Sequence, residues 1–143
     1  MDTVNTGVEE PLFNYILHSI RKTAYYQLLG IELTLLGPGY AELSVRAGET
    51  HTNPLGKIHG GLIMSIADAA MGNAIRSLGI TGVTSDCSVA FPGAAQLGDL
   101  ITARGKVVKA GRNLLFAEAL VYANDKLIGQ SKGTFYKIGD IEF

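Results

Sequence analysis

What this chain lacks narrows its chemistry before any motif is considered. It has one cysteine, Cys87, so no internal disulfide can form, and its three histidines, His18, His51 and His59, are scattered with no metal-ligand spacing. A reduced, metal-free protein is expected. Formal net charge is −1, and the basic residues form no tract, so no global field favours nucleic acid. The longest apolar run, within residues 62–75, is interrupted by Ser65, Asp68 and Asn73 and is too short and too polar for a membrane span. The segment from Met1 to Glu10 is polar and acidic, without the basic start and apolar core of a secretory signal, so a cytoplasmic protein is expected. There is no internal repeat, low-complexity tract or domain linker.

What is present is enough for one good core. With 143 residues and 47% hydrophobic content, the chain can bury a single domain and is too short for two ordinary ones. Residues 1–10 are expected to be flexible and 11–143 to form the domain. From Pro11 to Leu29, apolar residues recur at three- and four-residue steps (Leu12, Phe13, Ile16, Leu17, Ile20, Ala24, Leu28), which predicts one amphipathic helix. Pro11 suits its first turn and Gly30 its end. Tyr25 and Tyr26 are expected to serve ordinary packing, with the wall of a tunnel as the alternative.

Strands are expected over 31–36, 40–47, 83–91, 100–109, 114–123 and 127–137, separated by turn residues such as Gly37-Pro38-Gly39, Leu97-Gly98-Asp99 and Asn124-Asp125. Between the second and third lies Asn53-Pro54-Leu55-Gly56-Lys57-Ile58-His59-Gly60-Gly61, which is loop chemistry, running into a stretch to about Leu78 that is apolar on nearly every face. Such a helix is normally buried. An antiparallel sheet with its helices on one face, an α+β architecture, follows.

Two features of this central helix are not explained by packing. Gly60 and Gly61 offer backbone amides at the positive end of the helix dipole, suited to an anion or a developing oxyanion. Asp68 sits among Ile66, Ala67, Ala69, Ala70 and Met71, where an unpaired charge is costly. Each feature alone is ordinary; together on one helix they point to a site. Eight residues separate Gly60 from Asp68, roughly 12 Å along the axis. One carbonyl cannot meet both. If both serve one reaction, the Asp comes from a second copy, and a dimer with two shared sites is expected.

The pattern N-x5-HGG-x6-D, from Asn53 through His59-Gly60-Gly61 to Asp68, followed by a Gly-Val-Thr strand and a Leu-Gly-Asp turn, resembles the hotdog-fold acyl-CoA thioesterases of the phenylacetic-acid-degradation type. The resemblance covers roughly residues 28–138. It implies a hotdog fold, a curled antiparallel sheet wrapped around the long helix. It further implies that the Gly60 amide polarises a thioester carbonyl, that Asn53 and His59 shape that end of the site, and that Asp68 of the partner acts as nucleophile or general base. The hydroxyl at Thr84 would assist it, with Ser85 standing beside it. Coenzyme A would enter as part of an acyl-CoA substrate, with no cofactor. Lys109 and Arg112, with Lys106, Lys132 and Lys57 behind them, are candidates for its phosphates, and Gly61 and Ser85 for further substrate contacts. Homodimers, joined in some relatives into homotetramers, follow from the same likeness.

Rival readings are a hotdog hydratase or dehydratase using His59 with Asp68, and a non-catalytic acyl-CoA-binding module. A Cys87–His59 nucleophile pair is discounted, because Val83, Ser85, Cys87, Val89 and Phe91 are expected to share one strand face, where a lone Cys is a small hydrophobe. His51, in a polar loop, is expected to be solvated.

Overall fold

A computed structural model describes residues 2–143. Of the ten N-terminal residues expected to be flexible, Met1 lies outside the described residues. The next few are tied down. Strand β1 (Val4–Asn5) pairs in parallel with β2 (Glu32–Gly37), the Thr3 hydroxyl donates to the Leu33 carbonyl at 2.7 Å, and Val8 is buried.

Helix α1 (Glu10–Lys22) buries Phe13, Ile16 and Ile20, the face that the apolar spacing defines. The single helix expected through Leu29 is in fact two. Thr23 is extended (φ −68°, ψ 115°), its hydroxyl donates to Ser19 O at 2.8 Å and its amide to Ile20 O at 3.1 Å, so the ladder is diverted there. A second, six-residue helix α2 (Ala24–Leu29) follows and ends at Gly30, whose φ of +80° supplies a left-handed cap.

Next come β2 and β3 (Tyr40–Arg46), a hairpin turned at Pro38-Gly39, and then the central helix α3 (Gly60–Arg76). Four long strands complete the chain: β4 (Ile80–Ala90), β5 (Leu100–Ala110), β6 (Leu114–Ala123) and β7 (Lys126–Asp140). They join one seven-stranded sheet in the order β1-β2-β3-β5-β6-β7-β4, antiparallel at every pairing but the first. The crossover through α3 carries the chain from β3 to the far edge. The sheet curls round α3 in the hotdog arrangement.

Ten α3 residues are buried, among them Ile63, Ile66, Ala67, Ala70, Met71 and Ala74, against inward residues of every strand from β3 to β7. The small side chains let the helix sit close. At Gly105, in the middle of β5, a Cβ would collide with the Ala70 backbone, so the glycine sets the helix-to-sheet distance. The two edges of the sheet are unequal: β1 is two residues long, whereas β4 is an eleven-residue strand with Val83, Thr84, Ser85, Asp86 and Ser88 exposed.

Candidate active site

The loop before α3 is built by its own polar groups. His51, expected to be solvated, is 8% exposed. Its Nδ1 accepts from the Gly48 amide at 2.9 Å, which leaves Nε2 to donate to Leu29 O at 2.7 Å. The ring therefore fastens the end of α2 to the loop. Asn53 holds the next turn: its Oδ1 accepts from the amides of Leu55 (2.9 Å) and Lys57 (3.0 Å), and its backbone N–H donates to Lys57 O at 2.7 Å.

His59 then caps the helix. It is extended, its amide donates to His51 O at 2.7 Å, and its Nδ1 accepts from the Gly61 amide at 2.7 Å. Leu62 N–H donates to His59 O at 3.0 Å. The glycine pair is thus not two free donors, as the sequence suggested. Gly61 is spent on the histidine, and Gly60 keeps an amide with no protein acceptor among the described residues. A Cβ at Gly60 would lie 3.3 Å from the Phe91 ring, so the amide is bare of side chain on that side and bounded by an aromatic wall.

Asp68 is half-exposed, on the α3 face turned toward β4, and its Oδ1 accepts from the Thr84 hydroxyl at 2.7 Å. That contact depends on a β-bulge. Thr84 pairs with Phe135 but Asp86 pairs with Thr134, leaving Ser85 as the extra, exposed residue. Cys87 and Val89 stand opposite Gly133 and Ser131, and those two residues with Phe135 form the buried face of β7 under α3. Paired residues share a face, so Thr84, Cys87 and Val89 look toward α3 while Val83, opposite Tyr136, looks away. The regular alternation expected for Val83, Ser85 and Cys87 is broken at Ser85. Cys87 Sγ lies 3.5 Å from Ser131 Oγ rather than against His59.

Of the basic residues, Lys106 is engaged with Glu118 at 3.2 Å, and Lys57 and Lys132 are exposed, Lys132 on the outer sheet face opposite Glu118. Lys109 follows a second bulge in β5, and Arg112 lies in the turn closed by Gly111 N–H to Leu114 O (2.9 Å) and Lys137 N–H to Asn113 O (2.8 Å). Lys137 pairs with Gly82, so both cations belong to the Thr84 end of β4. Gly60, beneath Phe91, belongs to the other end.

The two tyrosines of α2 part company. Tyr26 is partly buried; burial pushes its hydroxyl pKa up, the neighbouring Asn73 side chain pulls it down, and the Asp68 charge adds to the rise. Tyr25 is 52% exposed and its hydroxyl hydrogen-bonds Ser65 Oγ. Tyr25, Leu29, His51, His59, Gly61 and Ser65 line a cleft of about 240 Å³ beside the start of α3. The sequence offered no signal for the Tyr25–Ser65 pair, which joins elements 40 residues apart.

The family described as the thioesterase superfamily matches residues 55–129, from the loop before α3 into β7. The chain belongs to the thioesterase superfamily. It is a thioester hydrolase. Human acyl-coenzyme A thioesterase 13 is 29% identical to this member over 134 residues, 90% of this chain and 96% of that one. The acyl-coenzyme A thioesterase PaaI of Escherichia coli is 28% identical over 112 residues, covering 78% of this chain and 80% of its own. The solved PaaI structure from that organism superimposes with a TM-score of 0.86 over 94% of this chain and 98% of that one, at 23% identity. A thioesterase protein of Streptococcus pneumoniae, solved with coenzyme A, shares the fold at a TM-score of 0.75 and 23% identity, over 78% of this chain and 91% of that one.

Proposed function

We propose that this thioesterase hydrolyses acyl-CoA at two sites shared across a homodimer. The observation that carries the reading is the Thr84–Asp68 pair, a carboxylate held toward an open strand edge, roughly 12 Å along the helix from the free amide of its own Gly60. Antiparallel pairing of two β4 edges brings the Phe91 and Gly60 end of one chain to the Thr84 and Asp68 end of the other. The two-fold axis then falls at Ser88, close to the midpoint of residues 84 and 91. The Gly60 amide, aided by the helix dipole, polarises the thioester carbonyl. Asp68 of the partner attacks the carbonyl carbon or draws a proton from a water that does so. The C–S bond breaks, CoA leaves as thiol, and water supplies the hydroxyl of the free acid.

Asn53 and His59 hold the loop and helix cap that aim the amide. In this mechanism Lys109 and Arg112 of the chain that gives Asp68 bind the CoA phosphates. The reaction asks for no cofactor, with coenzyme A entering as part of the substrate. Support comes from the likeness to human acyl-coenzyme A thioesterase 13 and to the coenzyme A-bound relative. Dimers can pair further into tetramers. Neither nucleic acid nor membrane is a partner in this reading; among the described residues no helix is long and apolar enough to cross a membrane. Its setting is the cytoplasm.

The test is thiol release from phenylacetyl-, hydroxybenzoyl- and aliphatic acyl-CoAs by wild type and by Asp68→Asn, with folding and dimerisation of the variant verified. Hydrolysis that collapses in the variant while substrate still binds is expected. Binding without turnover by wild type would establish an acyl-CoA-binding module instead, and full activity in the variant would move the chemistry to another group.

A further inference from the structure

The cleft beside His59 has a direction. From the Gly60 amide, one way leads past Phe91 to the open β4 edge, where the partner's Lys109 and Arg112 end arrives under the pairing argued above. The other way leads over Gly61 into the cleft between α2 and α3. A thioester anchored at Gly60 with its nucleotide toward those cations therefore has the cleft left for its acyl group.

Most polar groups of the cleft are already engaged. Both ring nitrogens of His51 are taken, the Thr52 hydroxyl donates to Glu49 O at 2.8 Å, and the Gly61 amide is held by His59. Leu29 and Leu62 supply apolar surface. Tyr25 leans in from α2, its hydroxyl fastened to Ser65 on α3. Helix α2 packs on the core through Tyr26 and Leu29, and this bond ties its exposed side to α3.

We propose that Tyr25, pinned by Ser65, is the specificity-determining residue that ends the acyl pocket and restricts this enzyme to short acyl groups. The assignment rests on the acyl-CoA thioesterase reading. Removing the ring takes that wall away; keeping the ring without its hydroxyl leaves it standing but untied.

Thiol release is measured for acetyl-, butanoyl-, hexanoyl-, octanoyl- and dodecanoyl-CoA with wild type, Tyr25→Ala, Tyr25→Phe and Ser65→Ala, each checked for an unchanged far-ultraviolet spectrum. Wild-type kcat/KM is expected to fall from hexanoyl to dodecanoyl. Tyr25→Ala is expected to raise the dodecanoyl-to-hexanoyl ratio about tenfold or more, the scale of one methylene's discrimination. Tyr25→Phe and Ser65→Ala should shift the ratio in the same direction by less. Turnover with the same chain-length profile in Tyr25→Ala and wild type overturns this proposal while leaving the thioesterase reading intact. Absence of thiol release from every substrate by wild type removes that reading, and the pocket assignment with it.

Discussion

Thr84 reaches Asp68, at 2.7 Å, because Ser85 is set aside as the extra residue of a bulge. Were Ser85 an ordinary ladder residue, the strand would keep strict alternation, and Thr84 would share the outward face of Asp86 and Ser88. A hydrogen bond to a charged group contributes about 1.5–3 kcal/mol. If it is needed to aim the carboxylate, Thr84→Ala should lower kcat by about 10–100-fold. Thr84→Ser should restore most of the loss, and Ser85→Ala should leave kcat within about threefold of wild type, since surface changes away from such contacts are small. Steady-state kinetics on one good acyl-CoA distinguishes these; equal losses at 84 and 85 would remove the special role of Thr84.

The pairing of β4 edges makes a covalent prediction. With the two-fold at Ser88, a cysteine at position 88 meets its own copy, within the roughly 4.4–6.8 Å Cα separation that a disulfide accepts. In a Cys87→Ser background, Ser88→Cys should give a disulfide-linked dimer on mild oxidation, read on a non-reducing gel. A cysteine at position 4, on β1 at the opposite edge, should not. A monomer by light scattering at micromolar concentration would sink the shared-site arrangement.

Gly105 carries a stability prediction. Because a Cβ there meets the Ala70 backbone, which cannot rotate away, Gly105→Ala should cost about 1–3 kcal/mol by overpacking. Urea melts report it as a lower midpoint with an unchanged slope. At Gly56 an added Cβ would meet nothing within 4 Å, and only the φ of +73° opposes the same change, so the loss there should be smaller.

The phenol of Tyr40 is pushed up to about 12, first by burial and then by its 2.8 Å hydrogen bond to the Glu42 carboxylate. A group that holds its proton more tightly when folded adds stability below its unfolded pKa and loses it as pH rises through the folded value. The loss should therefore run from about pH 10 to pH 12. Tyr40→Phe should flatten that part of the pH–stability curve, read by thermal melts in alkaline buffers. Tyr26, raised in the same direction, keeps a residual slope.

Much of the architecture was legible because local chemistry and global fold agree. Turn residues separate the strands, the Asn53–Gly61 loop announces α3, and Asp68 stands out as the one carboxylate in an apolar helix. The errors share a cause. Apolar spacing runs through Thr23 without interruption, so only the backbone shows α1 ending there. His51 looks polar and local, but its partner is the Leu29 carbonyl, 22 residues back. The bulge at Ser85 leaves no mark in composition, yet it decides which of two neighbouring hydroxyls meets Asp68. Long-range partners and one-residue register changes are properties of the packed sheet, and the order of letters does not carry them.

The inequality of the sheet's two margins bears on how copies can accumulate. A fibre needs two adhesive margins on every unit, one to accept the previous copy and one to recruit the next. Here the second margin ends in a two-residue strand, Val4–Asn5, that runs parallel to its neighbour and offers almost no ladder. Recruitment along backbone hydrogen bonds stops once β4 is satisfied, so a protein with a long unpaired strand is protected from polymerisation by the modest segment at its opposite side.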